Sequence, residues 1–170
     1  MADPAADFPE QALRHLDALY NFALHLTKSP ADADDLVQET YLRAFRFAHR
    51  FEPGTHLRAW LFQILRNTFL TFYRRESRQV AVLVKETEDG VAEVWEIEAP
   101  AVSVTTALDI ERALADLSEE FRSVLLLADL EGFPLDEIAQ IMDTPVGTVK
   151  SRLFRARRLL RRRLTEYRSG

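Results

Sequence analysis

The sequence predicts an all-α protein of two small helical domains joined by an acidic linker. Three observations carry this. Apolar residues recur at three- and four-residue steps through roughly the first 75 residues and again from about Thr106 onward. Between these stretches, "QVAVLVKETEDGVAEVWEIEAPAVSVTTA" is acidic, rich in β-branched residues and without helical periodicity. Charge is also sorted into blocks: residues 1–42 carry 2 basic and 8 acidic groups, 43–78 carry 8 and 2, 79–143 carry 3 and 16, and 144–170 carry 9 and 1. The expected boundaries are a first domain at 1–79, a linker at 80–106 and a second domain at 107–170.

The elements follow in order. "FPEQALRHLDALYNFALHLTKS" reads as one helix with Leu13, Leu16, Tyr20, Ala23 and Leu24 on its apolar side. A second helix restarts at "SPADADDLVQETYLRAFRFAHRF". Ser29 suits the cap and Pro30 the first helical position. Asp32, Asp34 and Asp35 complement the positive end of the helix dipole, which explains them more simply than a cation site does. Its apolar stripe is Ala33, Leu36, Val37, Thr40, Tyr41, Ala44, Phe47 and Ala48. "EPGTH" is a turn, with Thr55 expected to cap the next helix.

The third helix, "LRAWLFQILRNTFLTFYRRES", directs Leu57, Trp60, Leu61, Ile64, Thr68 and Phe72 inward. Its other side gathers Phe62, Arg66, Leu70 and Tyr73, with Phe69 at the edge and Arg74 and Arg75 following. Aromatics interleaved with arginines on an outward face suit stacking on unpaired bases with backbone neutralisation. For Phe62 and Tyr73 that reading and plain packing against a neighbouring helix both stand.

After the linker, where two short strands around "EDG" are an alternative to plain linker, "ALDIERALADL" is helical. Ser118 opens a further helix, "SEEFRSVLLLADLEG", which Gly132 closes. "LDEIAQIM" is short, with Ile138, Ala139 and Met142 inward. Thr144 is expected to cap the last helix, with Pro145 at its first position. Wound at about 100° per residue, that helix places Val146, Val149, Leu153, Ala156, Leu160 and Leu164 on one side. Thr148, Ser151, Arg155, Arg158 and Arg162 lie on the other, and Phe154 lies nearer the polar side. A short helix, a tight turn and a longer basic helix form a helix-turn-helix, whose second helix enters the major groove. There Lys150, Thr148 and Ser151 can bond phosphates or base edges, Phe154 can meet a thymine methyl, and Arg155 can bond guanine in bidentate fashion.

Composition narrows the function. Hydrophobic residues make up 47% and charged residues 29% of the 170, values that suit a soluble folded protein. No apolar run approaches the roughly 18 residues of a membrane helix, so no membrane insertion is expected. The start, "MADPAADFPEQ", lacks the basic and apolar regions of a secretory signal. With no cysteine in the chain, a cytoplasmic location fits. His15, His25, His49 and His56 have no metal-ligand spacing, and neither a phosphate loop nor a nucleophile elbow is present. No enzyme, metal or cofactor is expected. Two basic islands separated by acidic stretches are the footprint of a polyanion touched in two places.

The residues also carry a family resemblance. "EGFPLDEIAQIMDTPVGTVKSRLFRARRLLR" resembles region 4 of the extracytoplasmic-function (ECF) sigma factors of the sigma-70 family. "DADDLVQETYLRAFRFAHRFEPGTHLRAWLFQILRNTFLTFYRR" resembles region 2 of the same family. Asp143 departs from the pattern, standing where the family commonly has glycine. Aspartate tolerates the left-handed conformation better than most residues.

The resemblance implies a helical region 2 bundle, a region 4 helix-turn-helix and the promoter-directed initiation of transcription. Asp35, Gln38, Glu39, Leu42 and Arg43 would dock on the clamp helices of the RNA polymerase largest subunit. Phe51, His56, Trp60, Phe62, Gln63, Arg66, Asn67, Tyr73 and Arg74 would read the melted −10 element and capture a flipped base. Thr148, Lys150, Ser151, Arg152, Phe154, Arg155 and Arg158 would read the −35 duplex, with region 4 also meeting the flap of the second-largest subunit. The acidic linker would thread toward the polymerase cleft. An anti-sigma partner and control of a stress regulon are also implied. The alternative is a stand-alone helix-turn-helix regulator that binds duplex DNA as a dimer.

Overall fold

The computed structural model describes residues 4–72 and 107–169. The linker at 80–106, its possible strands, and Tyr73, Arg74 and Arg75 lie outside the described residues. Those described are helical, with no strand among them.

The first domain comprises α1 (Pro4–Leu13), α2 (Leu16–Thr27), α3 (Pro30–Arg46) and α4 (Leu57–Phe72). The single helix expected from Phe8 to Ser29 is therefore two. The cause is a buried tyrosine from another element. The Tyr41 hydroxyl donates to the Ala12 carbonyl at 2.8 Å, taking over an acceptor that a continuous helix would have used. His15 leaves helical geometry at φ −96°, ψ 7°. The break rotates the apolar face. Leu19, Phe22, Ala23 and Leu26 enter the core, whereas Leu13 and Leu16 are exposed.

α3 starts as its sequence requires. Ser29 is extended and accepts from the Asp32 amide, and Pro30 takes the first turn. Ala33, Leu36, Val37, Thr40, Tyr41 and Ala44 are all buried. Its end tightens into a single 3₁₀ turn, Ala48–Arg50. Thr55 does not cap α4. Its hydroxyl donates back to the Glu52 carbonyl at 2.6 Å, and the first helical acceptor is the His56 carbonyl, bonded to the Trp60 amide. At the far end of α4, Phe72 is exposed rather than inward. Its ring lies 5.1 Å beneath the Arg43 guanidinium.

The second domain comprises α5 (Ala107–Asp116), α6 (Glu119–Leu125, continued by a widened π turn through Leu130), α7 (Leu135–Met142) and α8 (Val146–Ser169). Ser118 accepts from the Phe121 amide and starts α6. Buried Arg122 reaches back to the end of α5, where its guanidinium donates to the Leu117 carbonyl at 3.0 Å, a cation on the negative end of that helix. Gly132, at φ +70°, redirects the chain into α7. Between α7 and α8, Asp143 adopts the left-handed conformation expected of it (φ 50°, ψ 50°). The Asp143 and Thr144 amides bond the Gln140 and Ala139 carbonyls, a Schellman closure. Thr144 does not cap α8, because its hydroxyl is buried without a hydrogen-bond partner. α8 packs on α5, α6 and α7 through buried Val149, Leu153 and Ala156.

The two domains share a core. α4 packs across α7, and Phe62 sits between Phe22 (5.4 Å between ring centroids) and Phe133 (5.2 Å). Phe62 is fully buried. Of its two readings, packing is the one seen here, but the packing partner is the other domain rather than a neighbouring helix alone.

Candidate nucleic-acid interface

The outward side of α8 begins one turn after the Asp143 closure. Lys150, Ser151, Phe154 and Arg158 are exposed, while Thr148, Arg152 and Arg155 are half-buried. The Phe154 ring is 40% exposed, a position that core packing does not account for. Ser151 donates to the Thr148 carbonyl at 3.0 Å.

The arginine run divides by partner. Arg152 turns toward α6, 3.5 Å from Glu120. Arg157 makes two bonds to Asp129, at 3.0 and 2.6 Å. This hydrogen-bonded pairing, more than the nearby charge alone, pushes its guanidinium pKa up. Arg163 faces Glu166 at 3.2 Å and Asp116 at 4.0 Å. These three brace the helix. Arg161 and Arg162 continue the outward side with Arg158.

In the first domain, the residues expected at the melted strand fall into two groups. Phe51 and Trp60 stack 5.4 Å apart and both meet Phe8, forming a half-buried aromatic cluster. Gln63 is half-buried and Asn67 exposed. The other group faces the second domain, which buries Phe62 and Arg66 and leaves His56 largely exposed. His56 Nδ1 lies 3.0 Å from Glu137, buried Arg66 lies 3.4 Å from Glu119, and Phe62 is beneath Phe133. The outward placement expected of Phe62 and Arg66 is not observed in this arrangement, because the second domain supplies a ring and a carboxylate to cover them.

Sequence reasoning missed Arg58. It donates to the Glu131 carbonyl at 2.8 Å and to the Glu131 carboxylate at 2.5 Å, and its guanidinium lies 4.3 Å from the Phe133 ring centre. A signal existed: a cation in the first turn of a helix opposes the dipole and calls for an anionic partner.

The third expected surface lies on α3. Asp35, Gln38 and Leu42 are exposed, Leu42 at 65%. Glu39 and Arg43 pair at 3.0 Å beside them, and Phe45 adds a partly exposed ring. Among the described residues no group of metal-ligating side chains occurs, and no described helix is long and apolar enough to cross a membrane.

A four-helix first domain with an exposed α3 ridge, followed by a helix-turn-helix with a basic outward face, defines a sigma-70 protein. The models for Sigma-70 region 2 and Sigma-70 region 4 match residues 12–79 and 107–160. The chain is 36% identical to the ECF RNA polymerase sigma factor SigE of Mycolicibacterium smegmatis, over 94% of this chain and 62% of that protein. It is also 36% identical to the ECF RNA polymerase sigma factor EcfG of Rhodopseudomonas palustris, over 87% of this chain and 80% of the relative. Among solved structures, it resembles the sigma factor RpoE of Bartonella quintana in complex with the anti-sigma factor NepR. That match has 34% identity and a TM-score of 0.74, covering 94% of this chain and 97% of that one. The chain belongs to the ECF family of RNA polymerase sigma factors.

Proposed function

We propose that this chain binds core RNA polymerase and directs it to promoters, with its two domains dividing the reading. In this assignment residues 1–79 dock on the polymerase clamp and read the melted −10 strand. Residues 107–170 read the −35 duplex and meet the flap, with 80–106 as the link. The observation that carries it is the pairing of two separate surfaces in one chain. One is the outward side of α8, where Lys150, Ser151 and Phe154 follow directly on the fixed turn at Asp143. The other is the exposed α3 ridge of Asp35, Gln38 and Leu42.

A stand-alone duplex-binding regulator has no use for that ridge. The chain acts by binding and carries out no reaction of its own. It works in the cytoplasm, where polymerase and promoter are found, and takes an anti-sigma partner as the Bartonella relative does. The test is in vitro transcription with core polymerase on a genomic promoter library. Specific initiation that depends on this chain is expected, and failure to bind core enzyme overturns the proposal.

A further inference from the structure

One cleft stays unexplained once promoter and polymerase have their surfaces. It has a volume of about 560 Å³ and lies between α2 of the first domain and α5 and α6 of the second. α2 contributes Asn21, Leu24, His25 and Lys28, a spacing that puts all four on one side of the helix. Across from them stand Glu111 of α5, Arg122 of α6 and Leu130 at the end of its π turn. None of these residues belongs to the α3 ridge, to α4 or to α8.

Arg122 sets the chemistry of the cleft. Its side chain is only 4% exposed, and among the described residues no carboxylate pairs with it. Glu119, whose charge it feels, is engaged elsewhere: it accepts from the Ser123 hydroxyl at 3.1 Å and faces Arg66 at 3.4 Å. Arg122 Nη1 donates to the Leu117 carbonyl at 3.0 Å, while its buried Nε has no hydrogen-bond partner. A buried cation met only by carbonyls, with an N–H left over, is costly to hold. An anion in the cleft satisfies both needs at once.

Two further groups converge on the same place. Lys28 donates to the Ala115 carbonyl at 3.1 Å, and its ammonium has further N–H groups to give. Burial, and after it the Arg122 charge, draw Lys28 below its ordinary pKa. Burial lowers His25 as well, with Glu111 opposing and Arg122 adding to the effect. We propose that this cleft binds a small phosphorylated molecule. The phosphate lies among Arg122 Nε, Lys28 Nζ and the His25 ring. Donors on two facing helices suit a tetrahedral anion, whose oxygens point apart, better than the flat edge of a carboxylate. The volume is that of a small-molecule site, about 300–1,000 Å³, so room remains for an organic body. That body covers Leu24 and Leu130, the latter 62% exposed, and Asn21 and Glu111 bond its polar groups.

The experiment follows the histidine ring protons of the full chain by NMR as phenyl phosphate is added at constant ionic strength. The chain has four histidines, and His25→Gln identifies the signals of that one. Phenyl phosphate is expected to move the His25 signals saturably and to raise the His25 pKa, since a bound anion offsets the Arg122 charge. It should bind about tenfold more tightly than inorganic phosphate, the gain from covering on the order of 60 Å² of apolar surface. Lys28→Gln should weaken binding by about tenfold through loss of one charge-assisted bond. Lys28 is exposed, so the variant keeps its fold.

The basic side of α8 also attracts phosphate, so Arg162→Ala is the comparison. Weaker binding in Lys28→Gln with affinity unchanged in Arg162→Ala supports the cleft. Equal affinity in the parent and Lys28→Gln, or no movement of His25 up to the solubility of phenyl phosphate, overturns it. Leu130→Asp gives a second arm that leaves every cation in place: a carboxylate at that exposed position is expected to repel phosphate, and unimpaired binding by this variant refutes the site. A short single-stranded oligonucleotide forms the last titration. If it moves His25 and phenyl phosphate does not, the cleft takes a nucleic-acid backbone and the small-molecule assignment falls.

Discussion

The salt dependence of −35 binding follows from how the arginines of α8 are partitioned. Residues 144–170 contain nine basic side chains. If all nine neutralised phosphates, log Kobs would fall against log[salt] with a slope of about −8. Arg152, Arg157 and Arg163, however, each face a carboxylate of their own domain. With Arg155 assigned to base reading, the exposed cations of the outward side are Lys150, Arg158, Arg161 and Arg162. Four phosphate contacts give a slope of about −3.6, or a roughly 150-fold loss of affinity between 50 and 200 mM salt; nine would give a loss of nearly 10⁵-fold.

Anisotropy titrations of a −35 duplex over that range measure the slope. Arg162→Ala is expected to lower it by about 0.9. Arg157→Ala should leave it nearly unchanged and cost under about 1 kcal/mol of stability, because its bidentate pair with Asp129 is near half-exposed on both sides. A parent slope of −7 or steeper, or equal slope changes from the two variants, refutes the partition.

Arg155→Ala should cost about 1–3 kcal/mol on the preferred −35 sequence and much less on others; equal loss on every sequence in a promoter panel would remove Arg155 from base reading. Leu42→Asp should weaken core-polymerase binding by tenfold or more in a pull-down or anisotropy assay without shifting the melting temperature, since the side chain is 65% exposed and central to the α3 ridge. Asp143→Gly should stabilise the chain by about 0.5–1 kcal/mol, because glycine meets no Cβ penalty at φ 50°, and calorimetry should show a small rise in melting temperature. Tyr41→Phe should cost only about 1 kcal/mol near neutrality, because the Ala12 carbonyl keeps a second donor in the His15 amide at 3.3 Å. Burial pushes the Tyr41 phenol up to about 12, so the folded state favours its neutral form. Its stability contribution is complete below pH 10 and lost as pH rises toward 12, and urea melts should show the parent's advantage over the variant vanishing there.

Features set within a few residues were legible in the sequence. The Ser29 and Ser118 caps, the stripe of Val149, Leu153 and Ala156 and the left-handed Asp143 turn all depend on neighbours in the chain. The misreadings depend on distant ones. The helix break at His15 is set by Tyr41, 29 residues from Ala12. Phe62 is buried by Phe133, and Arg157 is claimed by Asp129, pairings that no periodicity encodes. The helical wheel of α4 put Phe72 inward and Phe62 and Arg66 outward, whereas Phe72 is exposed and the other two are buried. A wheel of one helix has no means of including the wall that the second domain adds.

The Phe62–Phe133 contact also sets how firmly the two domains hold one another. Both rings are almost wholly dry, at 0% and 6% exposure, and parting them returns apolar area to water at about 25 cal/mol per Å². Each 1.4 kcal/mol that the shared ring contact contributes shifts the balance between packed and separated domains about tenfold. Residue choice at positions 62 and 133 thus sets the stiffness of the joint between the domains: a smaller side chain at either one would leave a cavity at the joint and loosen both halves together.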